Sequence, residues 1–85
     1  MELHGYDDPV YIISVAAELL NMHPQTLRMY EREKLIVPKR TDANNRMYSQ
    51  RDLDEIREIR KLTREEGVNL SGVRIILKLR RELYE

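Results

Sequence analysis

Apolar residues recur every three or four positions in four separate parts of this 85-residue chain. Residues 15–20 and 24–33 show this spacing first, and it predicts two short helices that each turn one face to a core. In the second helix, Leu27 and Tyr30 are expected to point inward. In the first, the predicted buried face consists of Val15, Ala16, Leu19 and Leu20.

Only three residues, Asn21, Met22 and His23, separate these two predicted helices. Asparagine tolerates the left-handed backbone that often ends a helix, and Pro24 suits the first position of the next helix because its missing N–H needs no partner there. Ser14 is a candidate N-cap for the first helix. This layout predicts a helix-turn-helix over residues 14–33, a motif whose second helix can enter the major groove of DNA.

The spacing changes after the second helix, and residues 36–48 favour extended structure. Residues 39–41 and 46–48 predict two short strands around a polar turn. Pro38 fits the start of an edge strand. A hairpin this small is marginal alone, so we expect it to lean on the helices as a wing. Upstream, the apolar, β-favouring residues 10–13 predict an extended lead-in or an edge strand.

Two longer helices are predicted after the wing, over residues 49–66 and 69–85. Ser49 and Asp52 have the spacing of a capping box that begins the third helix, Gly67 suits the left-handed residue that follows it, and Asn69 is the expected N-cap of the fourth. The two predicted buried faces are Leu53, Ile56, Ile59 and Leu62 in the third helix, and Leu70, Val73, Ile76, Leu77, Leu83 and Tyr84 in the fourth.

Two features of these helices carry further expectations. Gly72 costs about 1 kcal/mol relative to alanine within a helix, so we expect a close helix–helix approach to compensate for it. The mixed charges of residues 51–66 are typical of a solvated helix face with ion pairs between neighbouring turns.

The chain is expected to form one domain with a short tail. Residues 1–9 predict a flexible N-terminal tail, because Gly5, Asp8 and Pro9 favour turns and little here can be buried. Residues 10–85 form the domain, near the smallest size at which a single core suffices. The predicted fold is mainly α, a winged helix-turn-helix with four helices and a small two-stranded wing.

Charge is balanced overall but unevenly distributed. The formal net charge is zero and the pI is near 6.7, which argues against a wholly basic nucleic-acid-binding protein. Residues 1–20 carry four acidic residues and no Lys or Arg, whereas residues 23–48 carry six Lys or Arg and three acidic residues. A modest basic stripe therefore coincides with the predicted second helix and the wing.

Composition argues against several other classes of protein. The chain has no cysteine, so it has no disulfide framework or thiolate metal site. His4 and His23 are isolated and do not predict a metal site. No cofactor motif, paired catalytic carboxylates or nucleophile–base set is visible, so an enzyme is not expected. No apolar run is long enough for a membrane span and no signal peptide is visible, so a cytoplasmic location is expected. The predicted helix-turn-helix adds the expectation that the protein is associated with the bacterial nucleoid.

Four short motifs carry a family resemblance: ISVAAEL at 13–19, P-x-TLR-x-YE at 24–31, LI-x-P-x-R at 35–40 and R-x-YS at 46–49. In combination they resemble the N-terminal winged-helix domain of MerR-family transcriptional regulators, over about residues 11–83. Two further stretches, HPQTLR at 23–28 and EGVNLSGV at 66–73, look like the heat-shock repressor branch, HspR. The resemblance implies a homodimeric repressor of chaperone operons that binds inverted repeats in double-stranded promoter DNA, in some bacteria with the chaperone DnaK as co-repressor.

The chain departs from the family pattern in three places. Lys34 stands where many members have glycine, so a left-handed turn there must be strained or reshaped. Met29 replaces the first of two consecutive aromatic residues. The long dimerising helix expected after the fourth helix is missing, so we expect either an isolated DNA-binding domain or a shortened member.

The resemblance also suggests which side chains contact DNA. Arg28 can fork onto the O6 and N7 of guanine, although a surface salt bridge to Glu31 is the alternative. His23 is an N-cap or a phosphate contact, and Tyr30 and Tyr48 are core residues more often than ligands. The predicted DNA-contacting set is His23, Gln25, Thr26, Arg28, Tyr30, Lys39, Arg40 and Arg46.

Two other functions fit the same pattern. Chaperone modulators of the CbpM type look like this fold and bind a J-domain co-chaperone rather than DNA. A small excisionase-like protein that bends DNA is the second alternative. The basic residues Arg28, Arg40 and Arg46 favour DNA over a purely protein-binding module.

Overall fold

The structure, a computed structural model, describes residues 4–84 and confirms a mainly helical winged helix-turn-helix. The predicted end of the last helix at Glu85 lies outside the described residues, as do residues 1–3 of the predicted tail and the side chain of Tyr84. No described helix is long and apolar enough to cross a membrane. The elements in chain order are β1 (Tyr11–Ile12), α1 (Ile13–Leu20), α2 (Pro24–Arg32), β2 (Lys39–Arg40), β3 (Arg46–Tyr48), α3 (Gln50–Arg64) and α4 (Leu70–Tyr84).

The wing is part of a three-stranded antiparallel sheet with the order β1-β3-β2. β2 and β3 form the predicted hairpin, with Arg40 opposite Arg46. The predicted edge strand before α1 is also present, since Tyr11 pairs with Tyr48 on the other side of β3. The wing is therefore joined through β3 to the start of the helix-turn-helix.

The first helix differs from its prediction in its start and its buried face. Ser14 is not the N-cap, because β1 runs directly into α1 and Ile12, at the N-cap position, makes no side-chain cap. The buried residues are Ala16, Ala17 and Leu20, whereas Val15 and Leu19 are 40% and 52% exposed. The two alanines let α1 pack closely between α2, α3 and β3, which turns the larger side chains outward.

The core lies where the helices meet under the wing. Leu27 and Tyr30 of α2 are buried as predicted, and so is the whole predicted face of α3. In α4, Val73 and Leu77 are buried, and Leu70 and Ile76 pack partly against the core. Leu83 was predicted to be buried but is 77% exposed, because the last turn of α4 faces solvent there.

Apart from the start of α1, the helix ends follow the local rules on which the predictions rested. Asn21 is left-handed with φ 53°, and the capping box is complete, since Ser49 Oγ accepts from the Asp52 amide and Asp52 Oδ2 accepts from the Ser49 amide. Asn69 Oδ1 accepts from the Gly72 amide at 2.8 Å, as an N-cap does. Gly67 is left-handed with φ 67°, two residues after the C-cap of α3.

Gly72 does not mark a contact between helices. A Cβ atom at this position would lie 2.7 Å from Cγ1 of Val68, in the loop that precedes α4. The predicted helix–helix approach is therefore wrong: the loop folds back on the first turn of its own helix, and the Val68 side chain would have to move if a Cβ were added at residue 72.

Two arginines fix the helix-turn-helix to the helices behind it. Arg60 of α3 donates from Nη1 to the carbonyl oxygen of Leu20 at 3.1 Å, at the end of α1. Arg74 of α4 donates from Nη2 to the carbonyl oxygen of Glu33 at 2.8 Å, at the end of α2. These bonds satisfy carbonyls that a helix end leaves unpaired. Arg60 thus departs from the solvated face expected for residues 51–66.

Residues 5–9 differ from the expected loose tail because they contact the start of α3. The Tyr6 hydroxyl donates to Asp54 Oδ2 at 2.6 Å, and the Arg51 guanidinium lies 4.9 Å from the centroid of the Tyr6 ring. Arg51 also forms an ion pair with Asp7. A cation over an aromatic ring and two charged hydrogen bonds give this segment a defined position.

Candidate nucleic-acid interface

The first turn of α2 is partly exposed and begins with a side-chain cap. His23 Nδ1 accepts from the Gln25 amide at 3.1 Å, which confirms the N-cap alternative for this residue. Because Nδ1 accepts, the proton of the neutral ring must sit on Nε2, where it can be donated outward. Gln25 is exposed and Thr26 is half-buried. This end of α2 therefore offers donors to an anionic partner.

Arg28 lies in a groove between α2, the start of α1 and the wing. The groove has a volume of about 300 Å³. The alternative salt bridge from Arg28 to Glu31 does not form, because Glu31 pairs with two other arginines. The residues lining the groove are Ile12, Ile13, Arg28, Asn44, Asn45 and Arg46.

Both wing arginines are bound to one carboxylate of α2. Arg40 Nη2 lies 2.8 Å from Glu31 Oε2, and Arg46 Nε lies 2.5 Å from Glu31 Oε1. Burial alone would raise the pKa of Glu31, but the hydrogen bond from Arg46 and the charges of both arginines outweigh burial and hold the pKa below its usual value. Arg40 and Arg46, the predicted phosphate contacts, thus lie beside α2, as expected. Both are paired there with the Glu31 carboxylate.

The two tyrosines are core residues, so Tyr30, a member of the predicted DNA-contacting set, is not exposed beside the other members, and the core alternative describes it. Tyr30 is 5% exposed, and its pKa is raised by burial. A hydrogen bond with Thr63 and the charges of Arg64 and Arg60, all on α3, partly oppose this effect of burial, so the Tyr30 hydroxyl faces α3. Tyr48 is fully buried at the base of the wing, where burial and the charge of Glu31 raise its pKa to about 12. Its hydroxyl has no hydrogen-bond partner among the described residues.

Lys39 is separated from the other predicted basic contacts. Neighbouring residues of a strand point to opposite faces of a sheet, so Lys39 and Arg40 diverge. Lys39 is exposed beside Asp7, whose pKa is lowered chiefly by its hydrogen bond with Arg51 and also by the Lys39 charge. The structure therefore brings together Arg28, Arg40 and Arg46, and places Lys39 near the N-terminal segment.

Two wing residues in the groove were missed by the sequence reasoning. Asn44 is left-handed with φ 64°, and its amide donates to the carbonyl oxygen of Thr41 at 2.8 Å, which closes the wing turn. The side chains of Asn44 and Asn45 then line the groove beside Arg28. Two adjacent asparagines between short strands were an available signal for this turn.

Metal ligation is not indicated by the described residues. Residues 4–84 contain no group of three His, Cys, Asp or Glu side chains that could hold a metal ion. The chemistry of this face is that of guanidinium and amide donors around one carboxylate.

Comparison with known proteins decides the family. Residues 11–79 match the family model described as MerR HTH family regulatory protein. The chain belongs to the MerR family. This span includes every helix and strand except the last five residues of α4.

Individual relatives agree with the family match. The chain is 47% identical over 79 residues to a protein named heat shock protein HspR from Streptomyces coelicolor, covering 93% of this chain and 52% of that protein. It is 30% identical over 77 residues to the HTH-type transcriptional regulator GlnR of Bacillus anthracis, covering 91% of this chain and 59% of that protein. The resemblance to the HspR branch is thereby confirmed. The chain spans only about half the length of these curated relatives.

Two solved structures share the fold. HiNmlR, a MerR family regulator lacking the sensor domain, was solved bound to promoter DNA and matches with a TM-score of 0.72 at 26% identity, over 80% of this chain and 54% of that chain. A MerR family transcriptional regulator from Bacillus cereus matches with a TM-score of 0.72 at 25% identity, over 79% of this chain and 50% of that chain. GlnR and both of these solved proteins are described as regulators.

Proposed function

We propose that this chain binds double-stranded DNA as the DNA-binding domain of a transcriptional regulator. The observation that carries the proposal is the convergence of Arg28, Arg40 and Arg46 along one side of α2, where Arg28 and Arg46 line one groove and Glu31 pairs with both wing arginines. In this arrangement the first turn of α2 enters the major groove, and the wing lies along the neighbouring phosphate backbone. The relative solved with promoter DNA supports this choice of partner.

Each side chain of the face has a distinct task in this proposal. Arg28 reads a guanine edge from the groove, and Gln25 and Thr26 reach bases or phosphates from the first turn of α2. His23 donates from Nε2 to a phosphate. Arg40 and Arg46 bind phosphates from the wing. Lys39 adds positive charge from the opposite face of the wing. Tyr30 acts through the packing of α2, because its hydroxyl faces α3.

The biological role that we propose is repression of heat-shock and chaperone genes, supported by the 47% identity to HspR. One module with a few phosphate contacts binds DNA with a dissociation constant of roughly 10⁻⁴–10⁻⁶ M at physiological salt. Specific regulation needs about 10⁻⁸ M or tighter. Two modules on an inverted repeat reach this range because linkage raises the effective concentration of the second module. DnaK is the proposed co-repressor.

The affinity argument is tested by electrophoretic titration on an inverted repeat selected from random duplexes. The 85-residue chain and a form with an added C-terminal dimerisation segment are compared. We expect the chain alone to bind weakly and the dimeric form to bind at least about a hundredfold more tightly. Equal nanomolar affinity of the two forms would contradict the requirement for a dimer.

The docking face is tested by two arginine substitutions in the same titration. Arg28→Ala should remove sequence preference, whereas Arg40→Ala should weaken binding to all duplexes alike. If both variants bind selected and random DNA as the unaltered chain does, the face is wrong.

A second candidate function is favoured by one feature of α4. Ile75, Leu79 and Leu83 repeat every four residues along this helix and are 59%, 53% and 77% exposed. Such a row fits a protein partner, as in a module that binds a J-domain co-chaperone. Pull-down with a purified J-domain protein tests this function, and binding that survives Arg28→Ala but not Leu79→Glu would favour it over DNA binding.

A further inference from the structure

Glu31 lies where the second helix meets both strands of the wing. Each of its carboxylate oxygens binds a different arginine, Oε2 with Arg40 and Oε1 with Arg46. Arg40 also donates from Nη1 to the carbonyl oxygen of Asn44 at 3.2 Å. A continuous polar network therefore runs from α2 through β2 and β3 to the wing turn.

The register of the wing explains why a carboxylate is needed at this place. Arg40 and Arg46 are directly opposite each other on neighbouring strands. Like charges in that relation repel and destabilise a strand pair. The Glu31 carboxylate lies between them and is itself only 21% exposed. It therefore offsets the repulsion and fixes where both guanidinium groups sit relative to α2.

The same carboxylate also reduces the charge of the face. Two arginines and one glutamate carry a net charge of one, so the wing attracts phosphate less strongly than its two arginines suggest. Attraction to phosphate is the part of DNA affinity that does not depend on sequence. The position of the wing against α2, by contrast, determines whether Arg28 and the wing can contact one duplex together.

We propose that Glu31 is a positioning residue that sets the sequence specificity of this domain. It holds the two wing arginines in one geometry beside Arg28, and it lowers attraction to DNA of any sequence. This inference rests on the DNA-binding function proposed above. It predicts that removal of the charge moves the affinities for specific and non-specific DNA in opposite directions. A merely structural role would lower both.

The test measures binding of Glu31→Gln by fluorescence anisotropy at low salt. The probes are a duplex selected by the unaltered chain from a random library and a scrambled duplex of the same length. We expect affinity for the scrambled duplex to rise about threefold and its salt slope to steepen by about 0.9, the value for one added phosphate contact. Affinity for the selected duplex should fall about threefold, since the wing loses its fixed position.

Two variants separate charge from position. Glu33→Gln is the matched control, because it removes the same charge from the same region of α2 and also breaks an arginine pair, at 3.0 Å to Arg74 of α4 rather than to the wing. It should leave the ratio of the two affinities unchanged. Glu31→Asp keeps the charge, but its side chain is too short to bridge both arginines. It should therefore lower affinity for the selected duplex without raising affinity for the scrambled duplex.

The DNA-free chain gives an independent readout. In the unaltered protein the Nε–H of Arg46 is hydrogen-bonded to Glu31, so its exchange with water should be slow, and Glu31→Gln should speed it at least about threefold. Circular dichroism checks that each variant folds. If Glu31→Gln does not fold, Glu31→Asp alone tests the inference. It must then weaken binding to the selected duplex without changing binding to the scrambled duplex.

The outcomes distinguish this inference from the proposed function. If the unaltered chain prefers the selected duplex but Glu31→Gln lowers both affinities, or changes neither, Glu31 does not set specificity and the proposed function stands. If the unaltered chain binds no duplex at any salt concentration, the proposed function fails and this inference fails with it.

Discussion

The helix-turn-helix and the wing both carry candidate DNA-contacting side chains, but different forces attach them to the domain. α2 is held by buried Leu27 and Tyr30, and its end is capped by Arg74. Both residues of β2 are exposed, and the wing is tied to α2 through the ion pairs of Glu31. α2 is thus held by apolar burial, whereas in the wing only β3 has a core anchor, Tyr48, and the exposed outer strand β2 is held by its pairing with β3 and by the ion pair of Arg40.

This difference implies different responses to conditions. Burial of apolar surface is nearly independent of pH and of moderate salt. Ion pairs at partly exposed positions weaken as salt rises or as the carboxylate is protonated. In the proposed interface α2 is therefore the rigid part, and the outer strand β2 of the wing is the adjustable part. The same salt that weakens phosphate contacts also loosens the wing.

The largest expected effect is on the anchor of the helix-turn-helix. Leu27→Ala empties a site that is 0% exposed and should cost about 2–5 kcal/mol of unfolding free energy. Urea unfolding measures the loss. Val37→Ala is the control, because Val37 is 79% exposed and should change stability by less than about 0.5 kcal/mol. Equal losses for the two variants would show that α2 is not anchored by burial.

A smaller effect is expected at the cap of α2. Arg74→Ala removes two hydrogen bonds to the Glu33 carbonyl and should cost about 1 kcal/mol, since the site is partly exposed. Hydrogen exchange should speed up in the last turn of α2 but not in the wing. Lys78→Ala, an exposed change on the same helix, is the control. Faster exchange confined to the wing would contradict the separate attachment of the two elements.

The junction between the two elements should respond in the opposite direction. Lys34 is left-handed with φ 60°, so Lys34→Gly relieves strain of about 1 kcal/mol or more while adding the chain entropy of glycine. A net gain of roughly 0.5 kcal/mol is expected in urea unfolding. The reciprocal change at Gly67, Gly67→Ala at φ 67°, should destabilise the chain. A loss of stability in Lys34→Gly would show that the lysine side chain contributes more than the strain it costs.

The smallest effect is the loosening of the wing by acid. The pKa of Glu31 is lower in the folded state than its ordinary value of 4.5, so its stabilisation is present above about pH 4.5 and is lost as pH falls through the folded value. We expect this contribution to be under about 1 kcal/mol. Comparing Glu31→Gln with the unaltered chain across pH 2–6 isolates it from Asp7 and Asp54, whose pKa values are also lowered. Identical pH profiles for the two proteins would contradict a charge-based attachment.

Local backbone chemistry was the part of the fold that the sequence predicted well. Asn21, Pro24 and the Ser49–Asp52 capping box each act within a few residues of chain, so their roles can be deduced without tertiary contacts. The buried face of α1 was harder, because residues 15, 16, 17, 19 and 20 are all apolar and allow more than one stripe. Packing selected the face with the two alanines.

The candidate site was predicted in its composition but not in its connections. The sequence placed Arg28, Arg40 and Arg46 on one side, but not the binding of both wing arginines by Glu31. Arg60 and Arg74 likewise look like solvated surface residues until the ends of α1 and α2 are placed beside them. Such contacts join residues distant in the chain, and the spacing of charges along one helix carries no signal for them.

The pairing of β1 with β3 has a consequence for the order in which the chain can fold. Tyr11 and Tyr48 are partners in the sheet, although α1, α2 and β2 all lie between them in the sequence. Helices α1 and α2 can form from neighbouring residues. Pairing of β1 with β3 instead requires the chain between Tyr11 and Tyr48 to close into a long loop, which carries a larger entropic cost. During synthesis the sheet cannot be completed until Tyr48 has left the ribosome, by which time all residues of α1 and α2 have already been synthesised.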